Sequence, residues 1–224
     1  MSTIRDRLFA IWYPRLMAVS ERAGQSDVRS AQLSRARGRT LEVGAGSGLS
    51  LPHYAETVTE LVLVEPDADF RRALHKTIDG HTGPRRYTTV VDADVQKLPF
   101  DDATFDTVTA SFTFCTVREP ALGLAELHRV LRPGGQFLFH EHVRGQGLRA
   151  RIQDLMAPLQ VALAGGCHPN RDFPDILRRS AFQVDEVTLG RMPRAFPTVS
   201  PVVHGVASRV MVDAPLRAAA GGGR

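Results

Sequence analysis

The sequence predicts an α/β fold built on a doubly wound, seven-stranded sheet, mostly parallel and closed by a C-terminal antiparallel hairpin. Three observations carry that expectation. Short segments rich in β-branched residues recur along the chain, most are separated by stretches of helical periodicity, and the last two follow one another with no helical pattern between them. Strands that alternate with helices run parallel, because each helix carries the chain back across a face, so the sheet is covered on both sides.

The elements follow in order. Residues 1–19, MSTIRDRLFAIWYPRLMAV, set basic residues around a short apolar patch interrupted by Pro14 and Arg15, with no small-residue cleavage site after it. A secretory leader is not expected; the segment reads as a hydrophobic lid over an active site, with an interfacial foot on a membrane as the alternative. ERAGQSDVRSAQLSRARG (21–38) reads as a polar helix or connector, and the lid is taken as 1–37. Five strands are expected at TLEVG (40–44), ELVLVEP (60–66), RYTTVVDAD (86–94), FDTVTASFTF (105–114) and GQFLFHEHV (135–143). Between them DADFRRALHKTI (67–78) and PALGLAELHRVLRPGG (120–135) have helical spacing, the second aligning Leu122, Leu124, Leu127, Val130 and Leu131 on one buried face. RPGG (132–135) is a helix stop followed by a turn, which starts the next strand near Gln136. LRARIQDLMAPLQVALAGG (148–166) and NRDFPDILRRSAF (170–182) read as helices of an insertion at 144–180, and FQVDEVTL (182–189) with VVHGVASRVMV (202–212) as the closing hairpin. The small-residue tail APLRAAAGGGR (214–224) is expected to be disordered.

Bulk composition sets the class. A chain of 224 residues buries one substantial core, so one domain is expected over 1–213, with 43% apolar and 23% charged residues as in soluble globular proteins. No stretch approaches the ~20 apolar residues of a membrane span. Cys115 and Cys167 are too few for a disulfide framework, which points to a reduced, cytoplasmic setting. Cys167 and His168 lack further ligands for a metal, and none is expected. The net charge of +4 comes mostly from scattered arginines, not the clustered stripe that nucleic acid attracts. A monomer or homodimer acting on a small molecule is the expectation.

The chemistry is concentrated in TLEVGAGSGLSLPHY (40–54). Gly44, Gly46 and Gly48 stand at alternate positions behind the first strand, where missing Cβ atoms and positive φ let a ligand lie against backbone. The spacing differs from the dinucleotide fingerprint G-x-G-x-x-G. The second strand ends in Glu65, with Pro66 after it, where a carboxylate accepts hydrogen bonds from both hydroxyls of a ribose on the sheet edge. Asp94 closes the third strand, suited either to an adenine amino group, with the Val95 backbone at the ring edge, or to capping the next turn.

LEVGAGSG, LVEP, DADVQKLPFDDATFDTVTASFTF and ELHRVLRPGGQFLF together resemble the class I S-adenosylmethionine-dependent methyltransferases, in the type 11 branch that includes the ubiquinone/menaquinone C-methyltransferases, over roughly residues 38–143. The resemblance implies a Rossmann-like core with S-adenosylmethionine as cofactor. It places Gly44, Ala45, Gly46 and Gly48 along the methionine and ribose, Glu42 near the amino group, Glu65 on the ribose, Asp94 and Val95 on the adenine, and Ser111 with Phe112 on the methionine side. The aromatic faces of Phe112 and Tyr54 suit a sulfonium cation. TFCTV, EHV, a GC before a helix ending in AF, and a late P-x-x-x-G-x-A strand resemble the methyltransferase-like 7 group of alkyl thiol methyltransferases. Animal members of that group carry a long N-terminal anchor, for which only FAIWYPRLM stands here.

For the acceptor, a thiol with pKa ~8.5 is already a few per cent thiolate at neutral pH, so a strong base is optional. His142 and Glu141 close the fifth strand where substrate should sit, and the two are the catalytic candidates. His142 is read as base or thiolate-orienting group, or else as a histidine satisfied by local backbone. Regular alternation turns His140 to the face opposite Glu141. Tyr54 and Cys115 are read as substrate contacts. The rival acceptors are a phenol- or quinone-like oxygen or carbon and a phospholipid amine, and a non-catalytic cofactor-binding module is the rival outside enzymes.

Overall fold

A computed structural model describes residues 4–80 and 88–211, with side chains from Trp12 onward. The tail at 214–224 and the start of the third predicted strand lie outside the described residues. The first helix, α1 (Ile4–Ser20), runs through Pro14. It passes into a π-turn, Glu21–Gln25, that kinks at Gly24 (φ +116°), and then into α2 (Ser26–Leu33). The core follows as β1 (Gly38–Val43), β2 (Val58–Val64), α3 (Ala68–Gly80), β3 (Thr88–Val91), β4 (Phe105–Ser111), α4 (Pro120–Val130) and β5 (Leu131–His142). After it come α5 (Gly147–Leu163), α6 (Phe173–Arg178), β6 (Gln183–Arg191) and β7 (Pro201–Ser208).

The seven strands form one sheet in the order β3-β2-β1-β4-β5-β7-β6. The first five are parallel, and β7 slots antiparallel between β5 and β6. The order reverses between β1 and β4, which opens a crevice beyond their carboxyl ends.

The central strands are buried on both faces. One face carries Leu41, Val43, Val62, Val64, Val108, Phe137, Phe139 and Val203 against Leu124 and Leu127 of α4 and Leu177 of α6. Phe137, Phe139, Phe114, Phe173 and Phe182 form a chain of ring contacts 5.3–6.1 Å apart on that side. Each buried side chain of this size contributes about 1.5–3 kcal/mol, which fixes the sheet as the rigid base of the crevice. The other face is more polar. Thr40, Thr107, Thr109, Gln136 and His140 are buried there beneath α2, whose Gln32 donates to the Gly205 carbonyl at 2.5 Å.

Of the boundaries that differ from the sequence expectation, two change the path of the chain. β5 begins at Leu131, which pairs with Phe105; the ladder shifts register and resumes at Gln136 opposite Thr107. Arg132, Pro133 and Gly134 (φ +76°) bulge outward as an exposed loop within the strand. β4 stops at Ser111 rather than Phe114, because Phe112 takes φ +57° and turns the chain.

Candidate active site

The loop after β1 bends through three left-handed glycines: Gly44 at φ +67°, Gly46 at +55° and Gly48 at +87°. Their surroundings differ. A Cβ on Gly44 would collide with the Thr113 side chain, and one on Gly48 would sit 2.9 Å from Leu51 and Leu74. A Cβ on Gly46 would meet nothing within 4 Å. Gly44 and Gly48 are bare because protein packs against them, whereas Gly46 is bare toward an open face. Its N–H donates to Glu65 Oε2 at 2.8 Å, while the Asp67 N–H holds Oε1 at 2.9 Å, so the Glu65 carboxylate is fixed against the loop. Burial pushes the Glu65 carboxyl up, opposed by those two N–H donors. Pro66, which follows it, is exposed.

Asp94 lies at the exposed end of this edge. Its two oxygens accept from the Gln96 backbone N–H at 2.8 Å and the Gln96 side chain at 2.9 Å, so it does cap the next turn. Val95 beneath it is buried in the core.

Glu42, at the end of β1, is fully enclosed, and burial pushes its carboxyl up despite contacts with Ser50, Arg29 and Tyr54. The Tyr54 hydroxyl donates to Glu42 Oε2 at 3.1 Å and pairs with Thr109 Oγ1 at 2.7 Å. Its ring packs against Ala45, Leu51, Ala36 and Leu138. The structure thus brings Tyr54 to Glu42 as a support, with its hydroxyl turned toward the sheet. Ala45 is buried under the loop.

Sequence reasoning missed the contribution of the N-terminal helices. Gln25, Arg29 and Gln32 recur at helical spacing and are all buried. Arg29 pairs with Glu21 at 2.8 Å and reaches Ser50 Oγ at 3.3 Å, and its Nε has no partner. Gln25 Nε2 lies 3.3–3.4 Å from both ring nitrogens of His140. The signal lay in a polar residue every third or fourth position in a segment that must cover a sheet. Further back on α1, Tyr13 and Met17 pack with Phe112, Leu49, Met192, Ala195 and Val202, so α1 lies across the crevice.

Strand alternation separates the two residues assigned to proton chemistry. Glu141 shares a face with Phe139 and Val143, and His142 shares the opposite face with His140. They do not form a pair. Glu141 Oε1 accepts from the Thr113 and Phe114 backbone N–H groups, both at 2.9 Å, and Oε2 from Cys115 at 3.3 Å. Burial pushes its pKa up to about 7, opposed by those three donors. Arg171 grips the same loop from above, donating to the Val117 carbonyl at 2.8 Å and to that of Phe114. This double clamp holds the turn in which Phe112 adopts its left-handed backbone, worth about 1–2 kcal/mol of strain. Cys115 is buried in the clamped loop, its Sγ facing the Phe112 carbonyl at 3.3 Å; contact with Cys167 and burial push its thiol well up.

Phe112 closes the crevice floor beside Ser111. Its ring stacks 4.7 Å from His140 and 4.6 Å from His142. His142 is buried, desolvation pushes its pKa down to about 4 against a Val199 backbone contact, and its Nδ1 has no partner.

Residues 41–139 match the family described as a methyltransferase domain. The thiol S-methyltransferase TMT1B of Rattus norvegicus is 30% identical over 173 residues, covering 75% of this chain and 69% of its own. The chain belongs to the class I S-adenosylmethionine-dependent methyltransferases. S-adenosylmethionine is therefore the cofactor of this methyltransferase. The phosphatidylethanolamine N-methyltransferase of Cereibacter sphaeroides is 34% identical over 135 residues, covering 60% of the chain and 66% of its own. A Thermotoga maritima crystal structure, described as a SAM-dependent methyltransferase and possible histamine N-methyltransferase, shares the methyltransferase's fold with a TM-score of 0.68. It is 20% identical and covers 92% of this chain and 98% of that one.

The residues present fit the cofactor. Gly46 offers open backbone beside a fixed carboxylate at Glu65. Glu42 and Arg29 set an acid and an unsatisfied guanidinium nitrogen together at the same loop, matched to the ammonium and carboxylate of an amino acid.

Proposed function

We propose that this methyltransferase methylates a small, apolar thiol. When bound, S-adenosylmethionine supplies an electrophilic methyl group on a cationic sulfur. In this reading Gly44, Ala45, Gly46 and Gly48 line the methionine and ribose, Glu65 with Pro66 behind it takes the ribose hydroxyls, and Asp94 with Val95 meets the adenine. Glu42 takes the ammonium and Arg29 the carboxylate, while Ser111 and Phe112 face the reacting end. Residues 1–37 act as the lid, and 144–180 as the wall on the acceptor side.

The observation that carries the acceptor class is the unpartnered Nδ1 of His142, whose basicity is depressed. It accepts a hydrogen bond and orients a nucleophile, but holds a proton poorly above pH about 4. A phenol or carbon acid needs a stronger base than that, whereas a thiol with pKa ~8.5 supplies its own thiolate. The neighbouring walls, Phe112, Met17, Met192 and Val202, are apolar. His142 thus orients the acceptor sulfur, and the thiol proton leaves to water. Glu141 is a positioning residue that holds the Thr113–Cys115 backbone, and through it Cys115 and Phe112. Buried free thiols at Cys115 and Cys167 suit a reducing, cytoplasmic setting.

The test is a panel of alkyl thiols, phenols, quinols and phosphatidylethanolamine with methyl-labelled cofactor. Label is expected in the thiols, with kcat/KM rising toward the acceptor's own pKa and no inflection between pH 5 and 7. Transfer to oxygen, carbon or nitrogen with inert thiols would overturn the reading.

A further inference from the structure

Helix α5 wears its apolar side outward. At about 100° per residue, Leu148, Ile152, Leu155, Leu159 and Leu163 fall within a sector of about 80°, and Ala150, Gln153 and Ala157 point the opposite way, into the protein. Leu148, Leu155 and Leu163 are 73%, 78% and 62% exposed, and Ile152, Met156 and Leu159 are exposed beside them. The inward face is held, since Gln153 donates to the Val143, Pro169 and Thr198 carbonyls at 2.8–3.2 Å. The greasy stripe is therefore the fixed outer surface of a docked helix.

Charge defines what the stripe fits. Arg151, exposed, and Arg149, half-buried with its stem beside Gly145, flank it on its two sides. The helix's one acid, Asp154, points away and is tied to Arg144 at 2.6 Å and Asn170 at 3.1 Å. No helix among the described residues is long and apolar enough to cross a membrane. We infer that α5 docks this protein on an anionic phospholipid surface, its leucines among the acyl chains and Arg149 and Arg151 at the phosphates. A second copy would bring two more arginines and no free acid to this face. The last described strand, β7, ends at the opposite end of β5 from α5, where the Arg209 N–H donates to the Gly135 carbonyl at 3.1 Å. Because α5 follows directly from β5, docking would set the crevice close to the lipid. The inference rests on exposure and charge alone, and its test does not read methyl transfer.

That test is co-sedimentation of the full chain with vesicles of phosphatidylcholine, and of phosphatidylcholine with an equal share of phosphatidylglycerol. Wild type is expected to sediment with the anionic vesicles and to be released in part by salt. Leu155→Gln with Leu159→Gln, and separately Arg149→Glu with Arg151→Glu, are each expected to lower the bound fraction at least about tenfold with an unchanged thermal melt. The inference fails if wild type stays in the supernatant, or if both variants sediment like wild type. It also fails if light scattering finds a dimer that Leu155→Gln with Leu159→Gln converts to monomer, since the stripe would then be a contact between copies.

Discussion

Adjacent residues of one strand carry opposite charge histories here. The pKa of Glu141 is pushed up to about 7 and that of His142 down to about 4, both chiefly by burial. The raised carboxyl contributes stability that is full below its unfolded value near 4.5 and lost as pH rises through about 7. The depressed imidazole contributes stability that is full above 6.5 and lost as pH falls through about 4. Across pH 4.5–6.5 the two trends oppose one another, each about 3 kcal/mol in extent. Denaturation of wild type across that range is expected to show a shallow dependence. Glu141→Gln should unmask stability that climbs with pH, and His142→Asn stability that falls with it. Parallel profiles in both variants would refute the assignment. Residue identities at the strand ends were legible in the sequence, because Glu42, Glu65 and His142 each close an apolar run. Their partners were not: nothing local tells that Glu141 would be consumed by the backbone of 113–115, or that Tyr54 would turn inward to Glu42.

At the level of elements, the glycine loop and the kinked N-terminal helices divide the work. Gly44→Ala should cost about 2–4 kcal/mol, since it combines a left-handed φ with collision against Thr113. Gly46→Ala should cost about 1–2 kcal/mol, because only its φ is unfavourable, yet should weaken S-adenosylhomocysteine binding at least about tenfold by filling the open face. Equal loss of stability in the two, with cofactor affinity intact in Gly46→Ala, would contradict this division. For α2, Arg29→Gln should weaken S-adenosylhomocysteine about tenfold or more while leaving 5′-methylthioadenosine, which lacks the amino acid end, unchanged. Weakening of both ligands together would make Arg29 merely structural. The strands were readable from their β-branched runs and α4 from the spacing of Leu124, Leu127 and Val130, whereas Leu122, expected on the same buried face, is exposed and Leu131 opens β5. The bulge at 132–134 was not, because a helix stop and a strand irregularity both call for proline and glycine. The segment from the π-turn into α2 read only as a polar helix or connector, since burial of Gln25, Arg29 and Gln32 is decided by what they cover.

The whole molecule is a rigid sheet with a cover of two kinked helices. The hairpin that ends the chain was legible as two strands without a helix between them. Its insertion of β7 between β5 and β6 was not, because strand order is set by long-range pairing that leaves no local mark. With α1 lying across the crevice through Tyr13 and Met17, ligand binding should slow hydrogen exchange in residues 13–29 while the β1, β4 and β5 amides stay slow throughout. Exchange in 13–29 that ignores the ligand would separate the lid from the site. The claim beneath all of these is that the backbone turn at Gly46 and the carboxylate of Glu65 together grip one adenosine-bearing ligand. Calorimetry of S-adenosylhomocysteine with wild type and Glu65→Ala tests it most directly. Saturable binding at one site, weakened about tenfold or more in the variant, is the expected result. No binding to wild type, or equal affinity in the two proteins, would contradict the account.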